Sequence, residues 1–185
     1  KYPDDCAKSL DMVEKNISGP ATAELEIPDK HFVGAVLMNM DDHKRIDVSK
    51  NLREGKIVYK VTKGNWKLMG FYLNPEFRPN SQKGGFVDYL DKEAVAKYIR
   101  MNFDPYYDHL KEYFGTVIKR TIYDEPAMHL SDGRMWTPRY NTEFEKRYKY
   151  SPMTLYPALW YDIGSETAAS RNILHSFRAD LFADN

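Results

Sequence analysis

The stretch Ile118-Lys119-Arg120-Thr121-Ile122-Tyr123-Asp124-Glu125-Pro126 decides the fold that this sequence predicts. Its β-branched and aromatic residues favour a strand over 116–123, and Pro126 should end it, because proline cannot donate a hydrogen bond to a sheet. Asp124 and Glu125 would then lie at the carboxyl end of a strand, where parallel sheets and barrels build their active sites. The alternative is that both acids cap the following helix, since carboxylates stabilise helix N-termini.

Helical patterns flank this predicted strand on both sides. Asp91 is a suitable N-cap for a first helix, Pro105 begins or kinks a second, and Gly115 is a natural stop. Two further helices are predicted over 137–148 and 167–182. Helices alternating with a strand are typical of a βαβ-type arrangement with parallel strands.

The first part of the chain has strand patterns instead. Residues 23–27 alternate polar and apolar side chains, as in a half-exposed strand, and 31–38 is a fuller apolar run, as in a buried one. Two more apolar runs, 56–61 and 66–73, flank Thr62-Lys63-Gly64-Asn65. This short glycine-containing connection predicts a β-hairpin.

Together these patterns predict an α/β fold, namely a partial (β/α) barrel segment with an N-terminal β-rich portion. The β-rich portion with its hairpin would cover 1–80, and the helix–strand–helix, barrel-like segment would cover 81–185. A loop rich in proline and glycine, 74–86, lies at the junction. The chain has 185 residues, whereas a complete (β/α)8 barrel needs about 250.

Composition argues against several classes of function. The 27 basic and 27 acidic residues balance and form no basic stripe, so nucleic acid is not an expected partner. No apolar run approaches the length of a membrane span, so no membrane partner is expected. The single Cys6 excludes an internal disulfide and a cysteine-based zinc site.

Aromatic residues make up 14% of the chain, which leaves two interpretations open. Tyrosine often lines carbohydrate or peptide surfaces, but it also fills ordinary cores. Tyr98, Tyr106 and Tyr113 fall on predicted helix faces and are interpreted as helix packing. Trp66 is interpreted as a core residue of the predicted hairpin.

Several other motifs accompany the acidic pair. They are Gly64-Asn65-Trp66, Val87-Asp88-Tyr89-Leu90-Asp91, Phe114-Gly115, Trp136-Thr137-Pro138, Tyr156-Pro157-Ala158-Leu159-Trp160, Arg171, Phe177 and Arg178. With Asp124-Glu125-Pro126, their order and spacing resemble the central segment of large bacterial glycoside hydrolases, in particular the family 106 alpha-L-rhamnosidases and their uncharacterised relatives. The resemblance runs from about residue 10 to 185. Each motif is weak alone, and together they do not fix the sugar.

The resemblance implies part of a (β/α)8 barrel with a small β-rich insertion, set in a chain several times longer. It implies hydrolysis of O-glycosidic bonds with inversion, alpha-L-rhamnosides being the named substrate class. It also implies a secreted or periplasmic bacterial protein, with a carbohydrate substrate and the remaining domains of a longer chain as partners. The alternative function is a non-catalytic carbohydrate-binding or structural module.

Glycoside hydrolysis needs two carboxyl groups, one that protonates the leaving oxygen and one that activates water or attacks carbon. By resemblance, Glu125 is the candidate general acid. Neighbouring strand residues point to opposite faces, so Asp124 would support Glu125 rather than be its partner. Asp88 is the candidate second carboxylate, although a residue that starts a helix is an equal interpretation. Asp162 and Glu166 are weaker candidates, and a base outside this chain is the remaining option.

Three residues are candidates for binding the substrate. Trp136 could stack on a pyranose ring, Arg134 could donate hydrogen bonds to sugar hydroxyls, and His129 could contact substrate. Their alternatives are a core tryptophan, a solvated surface arginine and an ordinary polar histidine. No metal ligand is assigned and no cofactor is firmly expected. Calcium is compatible with the carboxylates of Asp41-Asp42 and Asp124-Glu125, but no loop shows a complete set of ligands.

Overall fold

The computed structural model describes residues 3–75, 86–120, 122 and 134–184. An open six-stranded sheet lies at its centre, in the order β3-β2-β5-β1-β6, with β4 paired to β5 off this path. The strands are β1 (Lys8–Glu26), β2 (His31–Asn39), β3 (Arg45–Asp47), β4 (Leu52–Arg53), β5 (Lys56–Asn74) and β6 (Met135–Trp136). The α-helices are α1 (Lys92–Asn102), α2 (Asp104–Leu110), α3 (Tyr140–Tyr148) and α4 (Thr167–Asp184).

The predicted α/β class, a partial (β/α) barrel segment, is wrong. Among the described residues, all the strand pairs are antiparallel and the sheet is open, whereas a (β/α) barrel is built from parallel strands joined by helices. The strand predicted over 116–123 does not form in its described part. Residues 115–117 make a turn, and a single bridge joins Phe114 to Ile118.

The hairpin turn predicted at 62–65 is also wrong. A single strand, β5, runs through these residues and pairs with β1 along nearly its whole length, with one register shift between Gly19 and Ala21. The tight turn lies earlier, at Glu54 and Gly55, whose φ angles are 48° and 76°. Positive φ at both central residues is the conformation of a type I′ turn, which here connects β4 to β5.

Each face of the sheet carries its own hydrophobic core, which explains the apolar run of β2. Val36 and Met38 point into the first core, and Ala35 and Leu37 point into the second. All four are fully buried, so the prediction of a buried strand over 31–38 is confirmed.

The first core lies between the sheet and the elements that follow it. These are α3, the 3-10 segment Met153–Leu159 and α4. The second core includes residues from the C-terminal part of β1 and the N-terminal part of β5. A Cβ added at Gly70 would lie 2.3 Å from Ile27 Cδ1, so a larger residue there would displace the Ile27 side chain.

The helix signals in the sequence are largely confirmed. Asp91 is the N-cap of α1 and accepts a hydrogen bond from Glu93 N, and Pro105 lies in the first turn of α2. Within the described ranges, no helix is both long and apolar enough to cross a membrane. The division of the chain into 1–80 and 81–185 stays a prediction.

Candidate functional site

A buried carboxyl group, that of Asp88, lies beside the start of β1. Ala7 N donates to Phe86 O at 2.8 Å, and Asp88 N donates to Asp5 O at 2.8 Å, so the backbone of 86–88 runs alongside the residues that lead into β1. This pairing fixes the Asp88 side chain in a position where the residue is only 2% exposed.

The two oxygens of Asp88 have different environments. Oδ1 accepts a hydrogen bond from Leu90 N at 3.1 Å, and this bond closes a local turn just before α1. Oδ2 is buried and has no hydrogen-bond partner, and the same holds for the nearby hydroxyl of Thr137. The Thr137 hydroxyl still favours the ionised carboxylate electrostatically, but the contact falls short of hydrogen-bond geometry.

Burial raises the pKa of Asp88 to about 6, because desolvation disfavours the charged form. The ammonium group of Lys8 opposes this shift, and the carboxylate of Asp91 adds to it. Lys8 is itself buried, and its Nζ donates to Asp4 O and Cys6 O, both at 2.8 Å. The site therefore holds a carboxyl group that can gain or lose a proton near neutral pH, next to a buried cation.

Strand β6 brings two other candidate residues to the same region. Trp136 is the register partner of Lys8 in β1, and Arg134 O accepts a hydrogen bond from Leu10 N at 2.8 Å. The backbones of Asp88, Trp136 and Arg134, which are distant in sequence, thus all lie along the start of β1.

Trp136 occupies a core position. It is 1% exposed, its Nε1 donates to the Tyr156 hydroxyl at 2.9 Å, and its ring centroid lies 4.1 Å from that of Tyr140. This packing agrees with the core interpretation and leaves no indole face open to a sugar. Substrate stacking by Trp136 stays a prediction that the packing does not favour.

Arg134 is half-buried rather than fully solvated. Its guanidinium carbon lies 4.9 Å from the centroid of the Trp160 ring, a cation–π contact. The contact orients the guanidinium, so that the side chain is held beside the first core. Its role in binding substrate stays a prediction.

Glu125, Asp124 and His129 lie outside the described residues. Their assignments as general acid, supporting acid and substrate contact therefore stay predictions.

The weaker acidic candidates have structural partners. Asp162 Oδ1 accepts from the Thr167 hydroxyl at 2.6 Å and from Gly164 N at 2.8 Å, and these hydrogen bonds lower its pKa. Glu166 forms an ion pair with Arg45. Asp41 accepts hydrogen bonds from the backbone and side chain of Asn65. In the part of the chain that the structure describes, no group of three or more His, Cys, Asp or Glu is arranged to hold a metal ion.

Three later motif residues, Arg171, Phe177 and Arg178, lie on α4 beside the first core. Arg171 Nε donates to Ala158 O at 2.5 Å, and Phe177 is 2% exposed in the core. Arg178 lies on the same helix, where burial lowers its pKa. Arg171 thus ties α4 to the 3-10 segment, whereas Phe177 packs against the rings of α3.

Lys8 and Thr137 are the members of the site that the sequence did not reveal. Lys8 belongs to none of the sequence motifs, and a lysine at the start of a strand is normally exposed to solvent. The adjacent Trp136-Thr137-Pro138 motif was the only available signal for Thr137. Both become recognisable once strand pairing places them near Asp88.

The model of glycoside hydrolase family 106, described as alpha-L-rhamnosidase, matches residues 15–185. No curated protein and no solved structure matches the chain.

Proposed function

The chain belongs to glycoside hydrolase family 106, and from this we propose that it is part of an enzyme that hydrolyses O-glycosidic bonds, with alpha-L-rhamnosides as the substrate class. The single observation that carries the proposal is the family match, which extends over residues 15–185. A carbohydrate substrate, further domains of a longer chain and a secreted or periplasmic location are parts of the same proposal.

The proposed chemistry uses two carboxyl groups with different tasks. Glu125 donates a proton to the leaving oxygen, and Asp124 supports it. Asp88 is the second carboxylate, which activates the attacking water from the opposite side of the sugar in an inverting reaction. These roles are proposed from the family motif and from the environment of Asp88.

The environment of Asp88 supports a role as base. A carboxylate with a pKa of about 6 is ionised at neutral pH and is a stronger base than an ordinary aspartate. Its Oδ2 is buried and makes no hydrogen bond of good geometry, so an acceptor position on this carboxylate remains unused in the folded chain.

Kinetics of three variants of the intact protein test this proposal. We expect Asp88→Asn to lower kcat/KM by about 10²–10⁴ on every alpha-L-rhamnoside, the usual contribution of general acid–base catalysis. Glu125→Gln should lose as much on a rhamnosyl disaccharide, but less on an aryl rhamnoside, because an aryl leaving group needs little protonation. Asp29→Asn, at an exposed bend, is the matched control and should be neutral.

Near-normal turnover of Glu125→Gln on the disaccharide would end its assignment as general acid. Likewise, unchanged kcat/KM for Asp88→Asn would leave Asp88 as a residue that only starts α1, through its hydrogen bond to Leu90 N.

A non-catalytic carbohydrate-binding or structural module is the second candidate. It is favoured by the open antiparallel sheet, which has no edge where the carboxyl ends of parallel strands meet. Binding of glycans by the intact protein, with no release of sugar over prolonged incubation, would support this candidate over the enzyme.

A further inference from the structure

Lys8, the first residue of β1, is a lysine that the fold buries. It is only 6% exposed, and lysine side chains are almost never buried unless their charge is compensated. Among the residues that the structure describes, no carboxylate forms an ion pair with Lys8 Nζ. Its charge is therefore not balanced by direct contact with an acid in this part of the chain.

The backbone holds the ammonium group of Lys8 in place. Two of its three N–H groups donate to Asp4 O and Cys6 O, both at 2.8 Å. Carbonyl oxygens orient an ammonium group and take the place of water around it, but they carry no net charge. The positive charge of Lys8 is thus fixed in position without being neutralised.

The same backbone pairing fixes Asp88 nearby. Cys6 and Val87 form an antiparallel bridge, and Asp88 N donates to Asp5 O at 2.8 Å. Asp88 is buried as well, and the charge of Lys8 favours its ionised form. Opposite charges that are both shielded from water attract each other more strongly than surface charges at the same separation.

The other charged groups around Asp88 are already paired. The carboxylate of Asp91, which disfavours ionisation of Asp88, forms an ion pair with Arg139 at 3.4 Å. Asp5, whose carbonyl oxygen binds Asp88 N, forms an ion pair with Lys97. Arg139 and Lys97 thus each have a carboxylate of their own.

Two further neighbours add no charge to this arrangement at neutral pH. The Thr137 hydroxyl favours the ionised form of Asp88 but is itself uncharged. Burial and the charge of Lys8 lower the pKa of His31, at the start of β2, so its imidazole is neutral at pH 7. Lys8 is therefore the cation that balances Asp88.

We propose that Lys8 is a positioning residue, the counter-ion that keeps the buried carboxylate of Asp88 charged and fixed in place for the hydrolysis. The inference rests on the proposed function, because Lys8 acts through the proposed base and does not itself touch the sugar. Without Lys8, the ionised Asp88 would be a buried charge with no cation to balance it, which is strongly unfavourable.

The pH dependence of kcat/KM tests the proposal in the intact protein. With a pKa of about 6, Asp88 loses its function as a base when the pH falls below that value. Lys8→Met should move this acidic limb upward by about one pH unit, because loss of the nearby cation raises the pKa of the carboxyl group. On an alpha-L-rhamnoside, kcat/KM should fall about tenfold at pH 5 and change little at pH 8.

Two variants serve as controls for this experiment. Lys8→Arg keeps the positive charge and should return the acidic limb to near its wild-type position. Lys15→Met makes the same chemical change at an exposed lysine of β1 and should leave the whole pH profile unchanged.

Urea denaturation gives a second measurement that does not depend on catalysis. In Lys8→Met, the fall in stability with rising pH should extend to about pH 7 instead of ending near pH 6, because the pKa of Asp88 is higher. At pH 7, Lys8→Met should also lower the urea midpoint less in an Asp88→Asn background than in the wild type, since no buried negative charge is then left behind.

Each outcome separates Lys8 from the proposed base. An equal loss of kcat/KM at every pH, or a pH range of stability that Lys8→Met leaves unmoved, would overturn the proposal. A shifted range of stability with an unmoved acidic limb would instead overturn the assignment of Asp88 as the base. Failure of Lys8→Met to fold in both backgrounds would show that Lys8 acts only through the carbonyls of Asp4 and Cys6, and would again overturn the proposal.

Discussion

Two groups of aromatic side chains, one around α3 and one on α2, show opposite burial. Around α3, Trp136 and Tyr140 are each 1% exposed and pack against the sheet. On α2, Tyr106 is 68% exposed and Tyr107 is 54% exposed. Both groups are rich in tyrosine and lie in or next to short helices.

The difference lies in what each helix packs against. The rings beside α3 form a continuous cluster, with Tyr140 in contact with Trp136, Phe144 and Phe177. The rings of α1 and α2 contact local neighbours, as in the pairs Tyr98–Phe103 and Tyr107–Phe114. Helical spacing of aromatic residues therefore predicts an apolar face, but it does not tell whether the sheet covers that face.

The largest effect on stability is expected from Trp136→Ala. Removal of a fully buried indole should lower the free energy of unfolding by about 3–5 kcal/mol, because it leaves a cavity in the first core. Urea denaturation followed by circular dichroism measures the change. Trp136→Phe, which keeps a ring but loses the hydrogen bond to the Tyr156 hydroxyl, should lose less. A loss below about 1 kcal/mol in Trp136→Ala would show that the indole does not lie in the core.

A smaller effect, which depends on pH, is expected from Asp88→Asn. The pKa of Asp88 is raised from 3.8 to about 6, so the folded state binds more protons than the unfolded state between about pH 4 and 6. The free energy of unfolding of the wild-type chain should therefore fall as pH rises through this window, by about 3 kcal/mol in total. Urea denaturation at several pH values measures this slope.

The asparagine variant separates this charge effect from packing. It keeps an oxygen that can accept from Leu90 N but has no charge to desolvate, so its stability should vary less between pH 4 and 6 and exceed that of the wild type at pH 7. Identical pH slopes for the two proteins would contradict the buried, ionisable state of Asp88.

The smallest effect is expected from Tyr106→Ser on α2. Because Tyr106 is 68% exposed, its substitution should change the free energy of unfolding by no more than about 0.5 kcal/mol. The same denaturation measurement applies. A loss as large as that of Trp136→Ala would mean that Tyr106 is covered in solution, and the contrast between the two aromatic groups would disappear.

Much of the local structure could be predicted from the sequence. The buried strand over 31–38, the N-cap at Asp91 and the long C-terminal helix are confirmed, because each depends on short-range periodicity or on one capping side chain. Asp88 was also singled out by sequence. Its buried partner Lys8 was not, since the contact arises only when strands pair.

The errors concern how the elements pair. Thr62-Lys63-Gly64-Asn65 has the composition of a turn, yet it lies inside β5, where Gly64 and Asn65 pair with β1 and the register shifts beside Thr62 and Lys63. The strand signal at 116–123 failed in its described part for the related reason that no neighbouring strand pairs with it.

By itself, the sequence determined the family of the chain, the approximate positions of most of its helices and strands, and the acids worth testing. Only the tertiary structure decided that the sheet is open and antiparallel, that Trp136 is core and that Asp88 is buried beside Lys8. The physical reason is the distance along the sequence over which each kind of interaction acts. Capping and periodicity act over a few neighbouring residues, whereas strand pairing, burial and the resulting pKa shift depend on residues that are distant in the sequence.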